Sequence, residues 1–155
     1  KGPQILIGSS NGGWLMIMAA KARKRRIFGL IGLAAATDYG QNLYSSLSKK
    51  SQKEINLKGF TRYQEKGFSY ILTKNFFVDA KKNNILNKNF NLKKPIILIH
   101  GLKDKVVNEK MPKKIIEIIK SDNAFIYYLK SSDHRLSKKN DIKIIFNAID
   151  TIRKL

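Results

Sequence analysis

The stretch Gln4-Ile5-Leu6-Ile7-Gly8-Ser9-Ser10-Asn11-Gly12-Gly13-Trp14 decides how this chain folds. Gln4 to Ile7 is a short apolar run that stops at Gly8, the pattern of a buried strand. From Asn11 to about Lys24 the pattern is helical, and Trp14 to Ala20 is apolar nearly all round, so this helix is expected to be buried on more than one side. Between them lies Gly8-x-Ser10-x-Gly12, a G-x-S-x-G in the strand–turn–helix setting that gives the pattern meaning. A turn this sharp strains the backbone, and side chains at Gly8 and Gly12 are expected to collide with the strand and the helix. Ser10 then projects its hydroxyl from the turn. The positive end of the following helix favours developing negative charge, and the backbone N–H of Asn11 is placed to donate to an oxyanion. A phosphate-binding loop would need Lys and Ser/Thr after the second glycine, where Trp14-Leu15 stand; the dinucleotide pattern G-x-G-x-x-G is absent. A plain glycine-rich turn stays open, because a lone G-x-S-x-G is common by chance.

Working outward, Ile27–Leu33 reads as a second buried strand, Ile96–Ile99 behind Pro95 as a third, and Ala124–Leu129 as a fourth. Met111–Lys120 reads as a helix with Pro112 in its first turn. Lys138–Leu155 repeats Ile142, Ile145, Phe146, Ile149 and Ile152 at spacings of three and four, an amphipathic helix. Residues 39–90 are polar and rich in Ser, Lys and Asn, with isolated aromatics, and read as two or three helices or turns inserted between core strands. The order β-α-β-(insert)-β-α-β-α predicts an α/β fold of about four parallel strands flanked by helices. Right-handed crossovers put all four strand C-terminal ends on one edge, where ligand chemistry collects in open α/β sheets.

The 155 residues carry 31 Lys+Arg against 11 Asp+Glu, a formal net charge of +20, and no cysteine. Without cysteine there is no disulfide framework, thiolate metal site or Cys nucleophile. A hydrophobic content of 43% is enough to bury a core. The charge invites a noncatalytic polyanion- or nucleic-acid-binding module as the alternative function. The basic residues are scattered, however, and come with abundant Asn and Ile, as an AT-rich genome would produce. The one dense cluster, Lys21 to Arg26, falls at a helix C-terminus, where cations suit the helix dipole. No specific nucleic-acid partner is therefore expected. No apolar run reaches the roughly 18 residues of a membrane span, no signal-peptide pattern opens the chain, and the expected location is the cytoplasm.

Two further residues stand where the active edge should be. Asp104 lies in His100-Gly-Leu-Lys-Asp104, just past the third strand; His134 lies in Ser131-Ser-Asp-His134, just past the fourth. Chain order Ser10, Asp104, His134 is that of a hydrolase triad on such a sheet. In that chemistry Ser10 attacks an acyl carbon, His134 takes and returns the proton, and Asp104 holds the imidazole tautomer. Asp38 also follows a strand and is an alternative acid or an anchor of the insert. His100 ends a buried strand and reads as structural, with a lesser claim as the base. Asp133 is adjacent to His134 and reads as a loop-bonding residue. No His/Asp/Glu grouping has metal-ligand spacing, so neither a metal nor a cofactor is expected.

Together, Gly8-Ser-Ser-Asn-Gly-Gly-Trp14, His100-Gly-x-x-Asp104-x-Val-Val107 and Ser132-Asp-His134-Arg-Leu-Ser137 resemble the α/β-hydrolase superfamily. More narrowly they look like serine hydrolases of the ABHD-ten-like acyl-protein thioesterase and acyl-glucuronide esterase group. The resemblance implies Ser10 as nucleophile, Asp104 as acid, His134 as base, and residues 39–90 as a helical cap over an acyl pocket. It implies a small-molecule acyl ester or thioester as substrate. Family elbows commonly carry Met or another apolar residue where Asn11 stands, but the mechanism uses only its backbone N–H. The family sheet has several strands before the nucleophile strand, and a loop there supplies the second oxyanion donor. These residues are thus expected to be the C-terminal part of a longer hydrolase, a single N-terminally truncated domain over 1–155, with an inactive remnant as a further alternative.

Overall fold

The computed structural model describes residues 2–65, 67–88 and 90–155. Lys66 and Asn89 of the expected insert, and Lys1, lie outside the described residues. In chain order the elements are β1 (Gln4–Ser9), α1 (Asn11–Ala22), β2 (Ile27–Leu33), α2 (Tyr39–Ser46), α3 (Lys49–Lys58), β3 (Phe60–Glu65), β4 (Phe68–Thr73), α4 (Lys74–Lys82), β5 (Ile96–Gly101), α5 (Met111–Ile118), β6 (Ala124–Leu129) and α6 (Lys139–Arg153). They fall into two compact units, one formed by residues up to Thr37 with Ile85–Leu155, the other by Asp38–Asn84.

The first unit holds a four-stranded sheet in the order β1-β2-β5-β6, every neighbouring pair parallel. Its strands are the four apolar runs of the sequence. β5 is buried at all six positions, as a central parallel strand must be when helices cover both faces. Alternate residues sort to opposite faces. Ile31, Ile97 and Ile99 join Ala148 and Ile152 of α6 in one buried cluster. Gly29 lets α6 approach: a Cβ there would lie 2.3 Å from Ile152 Cγ2. On the other face Gly32 sits beside Met16 of α1, whose Gly13, Trp14, Met16, Ile17 and Ala20 are buried while Leu15 is exposed.

β1 departs from expectation. It pairs with β2 alone and is the outermost strand among the described residues, so Ile5 reaches the α6 cluster only at its margin and Ile7 is 48% exposed. The basic cluster after α1 has local structural partners. The ring of Phe90 lies under Lys21 Nζ at 4.4 Å, and Lys24 Nζ donates to Asn91 O at 2.9 Å.

Among its described residues the second unit contains three helices and, where helices or turns were expected, an antiparallel hairpin. β3 and β4 pair from Phe60↔Thr73 to Glu65↔Phe68, with Gly67 at φ 84° in the turn. Its alternating Thr, Tyr, Phe and Ile residues suit strands. The caps follow simple chemistry: Ser48 and Thr73 accept from the N–H groups of Ser51 and Phe76, and Gly59 closes α3 at φ 83°. Leu43, Leu47 and Ile55 form its core, with Tyr44 and Phe77 edge to face at 5.0 Å. The unit ends at Asn84 rather than 90. Ile85 and Phe90 are buried in the sheet unit, where Phe90 bridges to Ile119.

Candidate active site

Three strand ends of the sheet unit carry the site. Ser10 joins β1 to α1 at φ 52°, ψ −124°, a left-handed backbone that costs a serine on the order of 1–3 kcal/mol and persists only where neighbours over-determine it. They do so here. Ser10 N donates to Leu33 O at 2.8 Å, and Ser10 O accepts from Gly13 N and Ala36 N, both at 2.9 Å. The close approaches are at Gly8, where a Cβ would lie 2.3 Å from Gly12 O, and at Gly13, where it would lie 2.4 Å from Ala35 Cβ. Gly12 opens onto free space. The expected collision at Gly12 is thus corrected by one residue: Gly13 is the position that faces the end of β2. The side chain of Ser10 makes no cap to α1, which leaves its hydroxyl for another partner.

That partner is His134, whose Nε2 lies 3.1 Å from Ser10 Oγ and whose Nδ1 lies 2.8 Å from Asp104 Oδ2. With Asp104 ionised, Nδ1 carries the proton and donates to the carboxylate, leaving Nε2 to accept from the Ser10 hydroxyl. The His134 side chain is 24% exposed, that of Asp104 only 1%. Asp104 Oδ1 accepts from the N–H groups of Val106 at 2.7 Å and Val107 at 3.0 Å. Burial pushes the Asp104 carboxyl up, but the Val107 N–H, the His134 ring and the Val106 N–H together outweigh it and hold it below the ordinary carboxylate value.

The loop bearing His134 is anchored by groups that sequence reading passed over. Buried Ser132 donates to buried Asp141 at 2.5 Å, and Asp141 also accepts from Lys138 N at 3.1 Å. Lys138 Nζ donates to Ser131 O. Asp141, in the first turn of α6, accepts from the N-cap backbone, but no capping-box pattern announces it, because Lys138 stands where Ser or Thr would be. Gly101 allows this loop to pass close, since a Cβ there would meet Ser132 O at 2.3 Å.

The other candidates fall elsewhere. Asp133 accepts from Arg135 N at 3.0 Å, as a loop-bonding residue would. Asp38 is buried, with φ 56°, at the start of α2. His100 is completely buried, and its Nε2 lies 3.2 Å from Val107 O. Asn11 is exposed at the first turn of α1, where helix N–H groups lack intrahelical acceptors. No helix among the described residues is long and apolar enough to cross a membrane.

The family model described as the prolyl oligopeptidase family matches residues 4–150. The mouse protein named palmitoyl-protein thioesterase ABHD10, mitochondrial, is 35% identical over 98% of this chain and 52% of its own length. The chain therefore spans about half the length of the curated relatives it matches. The solved structure of mouse alpha/beta hydrolase domain-containing protein 10 superposes with a TM-score of 0.85 at 34% identity, over 99% of this chain and 63% of that one. A structure from Agrobacterium vitis S4 matches with a TM-score of 0.83 at 26% identity, over 96% of this chain and 60% of that one. With four parallel strands flanked by helices and a family match along nearly its whole length, the chain belongs to the prolyl oligopeptidase family of α/β-hydrolases.

Proposed function

We propose that this chain carries the catalytic triad of a serine hydrolase that cleaves a carboxylic ester or thioester through an acyl-Ser10 intermediate. One observation carries the proposal: the continuous contact from Ser10 Oγ through the His134 ring to Asp104, at 3.1 and 2.8 Å. In acylation the Ser10 oxygen bonds the acyl carbon while its proton passes to His134 Nε2. The tetrahedral intermediate collapses, and the same proton leaves with the alcohol or thiol. Water then repeats the sequence on the acyl-serine, releasing a carboxylic acid and restoring Ser10. Asp104 keeps the proton of His134 on Nδ1 and stabilises the imidazolium. The N–H of Asn11, at the positive end of α1, serves as an oxyanion donor. No metal or cofactor enters these steps.

The thioester assignment draws on the name of the mouse relative. The Asp38–Asn84 unit is proposed as the cap of an acyl pocket, on the strength of its place in the chain between β2 and β5. That unit has a cavity of its own of about 370 Å³, walled by Tyr44, Ile55, Phe77 and Val78 beside Lys74 and Lys81, and no triad residue borders it. The substrate is a small acyl ester or thioester rather than a nucleic acid, and a cytoplasmic location belongs to the same proposal. A fluorophosphonate probe tests the chemistry: it should label the wild-type chain at Ser10 and leave Ser10→Ala unlabelled. Equal labelling of the two would end the proposal. Turnover of an acyl thioester, an aryl ester and a peptide amide compared side by side then fixes the bond cleaved.

A further inference from the structure

His100 is a buried titratable group that the reaction does not use. It sits on β5, has no exposed surface, and turns one ring nitrogen towards the acid loop. Its Nε2 lies 3.2 Å from Val107 O and 3.7 Å from Asp104 Oδ2. Its Nδ1 is buried with no hydrogen-bond partner among the described residues. These contacts fix its state. A carbonyl oxygen can only accept, so Nε2 must carry the proton, and Nδ1 is left as a bare lone pair. Protonating Nδ1 would bury a donor with nothing to receive it. The titratable groups that act on the ring are Asp104, His134 and Glu109, and the Tyr128 ring stands edge-on at 6.4 Å. Burial pushes the imidazole below its ordinary value, against the opposing pull of Asp104.

The contact matters because of what Val107 does. Its N–H donates to Asp104 Oδ1 while its carbonyl accepts from His100. Residue 107 is thus gripped from both sides of its backbone, once by the catalytic acid and once by the strand. We propose that His100 is a positioning residue: as a neutral Nε2–H donor it ties the Asp104–Val107 turn to β5 and so aims Asp104 Oδ2 at His134. The inference rests on the triad reading for its consequence in catalysis, but the positioning itself can be observed without turnover.

The chain has only two histidines, so the imidazole nitrogens can be assigned by ¹⁵N NMR. In the wild type His100 should be the Nε2–H tautomer and His134 the Nδ1–H tautomer. His100→Gln puts an amide donor near the Nε2 position and should leave His134 fixed as Nδ1–H. His100→Asn cannot reach, and His100→Leu fills similar space without a donor; both should leave His134 in a mixture of tautomers. Ser10 labelling by the fluorophosphonate should fall on the order of tenfold in the Asn and Leu variants, as loss of an outer-shell partner typically does, and recover in Gln. In an Asp104→Asn background the His100→Leu change should have no further effect, because it acts through Asp104. A core-filling role predicts the reverse order, with Leu preserving the His134 tautomer at least as well as Gln; that outcome, or additivity with Asp104→Asn, overturns the proposal. If no variant, the wild type included, is labelled, the hydrolase reading fails and the NMR comparison still decides the role of His100.

Discussion

The two units differ in what their polar residues hold in place. In the sheet unit they sit at strand ends and are held from several sides. The Asp104 carboxylate accepts three hydrogen bonds, and the loop of His134 is bolted down through buried Ser132 and Asp141. In the Asp38–Asn84 unit the helices are short and the caps local. Large apolar groups such as Phe68 and Ile71 of the hairpin lie open at 66% and 65% exposure. A rigid parallel sheet can hold a reacting geometry because its strands are buried and cannot shift singly. A small unit whose buried apolar side chains, among the described residues, are Leu43, Leu47, Ile55 and Ala80 has less to hold with. The contrast places the precision of this molecule at the ends of β1, β5 and β6.

Substitutions should separate the units in order of effect. Ser10→Ala should abolish fluorophosphonate labelling, and Asp104→Asn should slow it about 10³- to 10⁴-fold by releasing the His134 tautomer; a loss under tenfold would detach Asp104 from the site. In the elbow, Gly8→Val and Gly13→Val should each cost about 2–4 kcal/mol in denaturant unfolding, because the new side chain meets backbone or Ala35. Gly12→Ala should be neutral or stabilising by up to about 1 kcal/mol, since open space surrounds it and alanine favours a helix. Equal damage at Gly12 and Gly13 would contradict the packing described. In the second unit, Thr73→Ala should cost only about 1 kcal/mol by removing the α4 cap, with labelling of Ser10 unchanged.

Acid should act on the sheet unit in two stages. The folded value of His100 lies below its unfolded one. Its neutral burial therefore carries no protonation cost above about pH 6.5, and stability falls as the unfolded imidazole gains a proton below it. Asp104 is likewise depressed, so its contribution is whole above about pH 4 and is lost as the pH falls through the folded value. Urea midpoints measured from pH 8 to pH 3 should decline first below about pH 6.5, and His100→Gln should flatten that first decline. An unchanged slope in this variant would show that another group titrates there.

The sheet was legible because a parallel strand buried on both faces must be an apolar run, and all four runs became strands. Ser10, Asp104 and His134 were legible because each stands directly after such a run, in an order that chemistry recognises. The hairpin escaped notice although Gly67 between β-prone residues marked it. Its strands are only six residues long, and although Phe68 and Tyr70 alternate in β4, Phe60 and Tyr63 of β3 stand three apart, too weak a period to outweigh the surrounding Lys and Asn.

By itself the sequence determined where the sheet unit would be strand or helix, and which side chains could reach the active edge, because periodicity and turn chemistry are local. Only the tertiary structure decided which of those side chains meet. It selected Asp104 as the partner of His134 Nδ1, gave His100 to the Val107 carbonyl, and moved the tight elbow contact from Gly12 to Gly13. These choices turn on distances of a few tenths of an ångström between segments remote in sequence. Such distances are set by how β1, β2, β5 and β6 stack in register, and no local pattern records them.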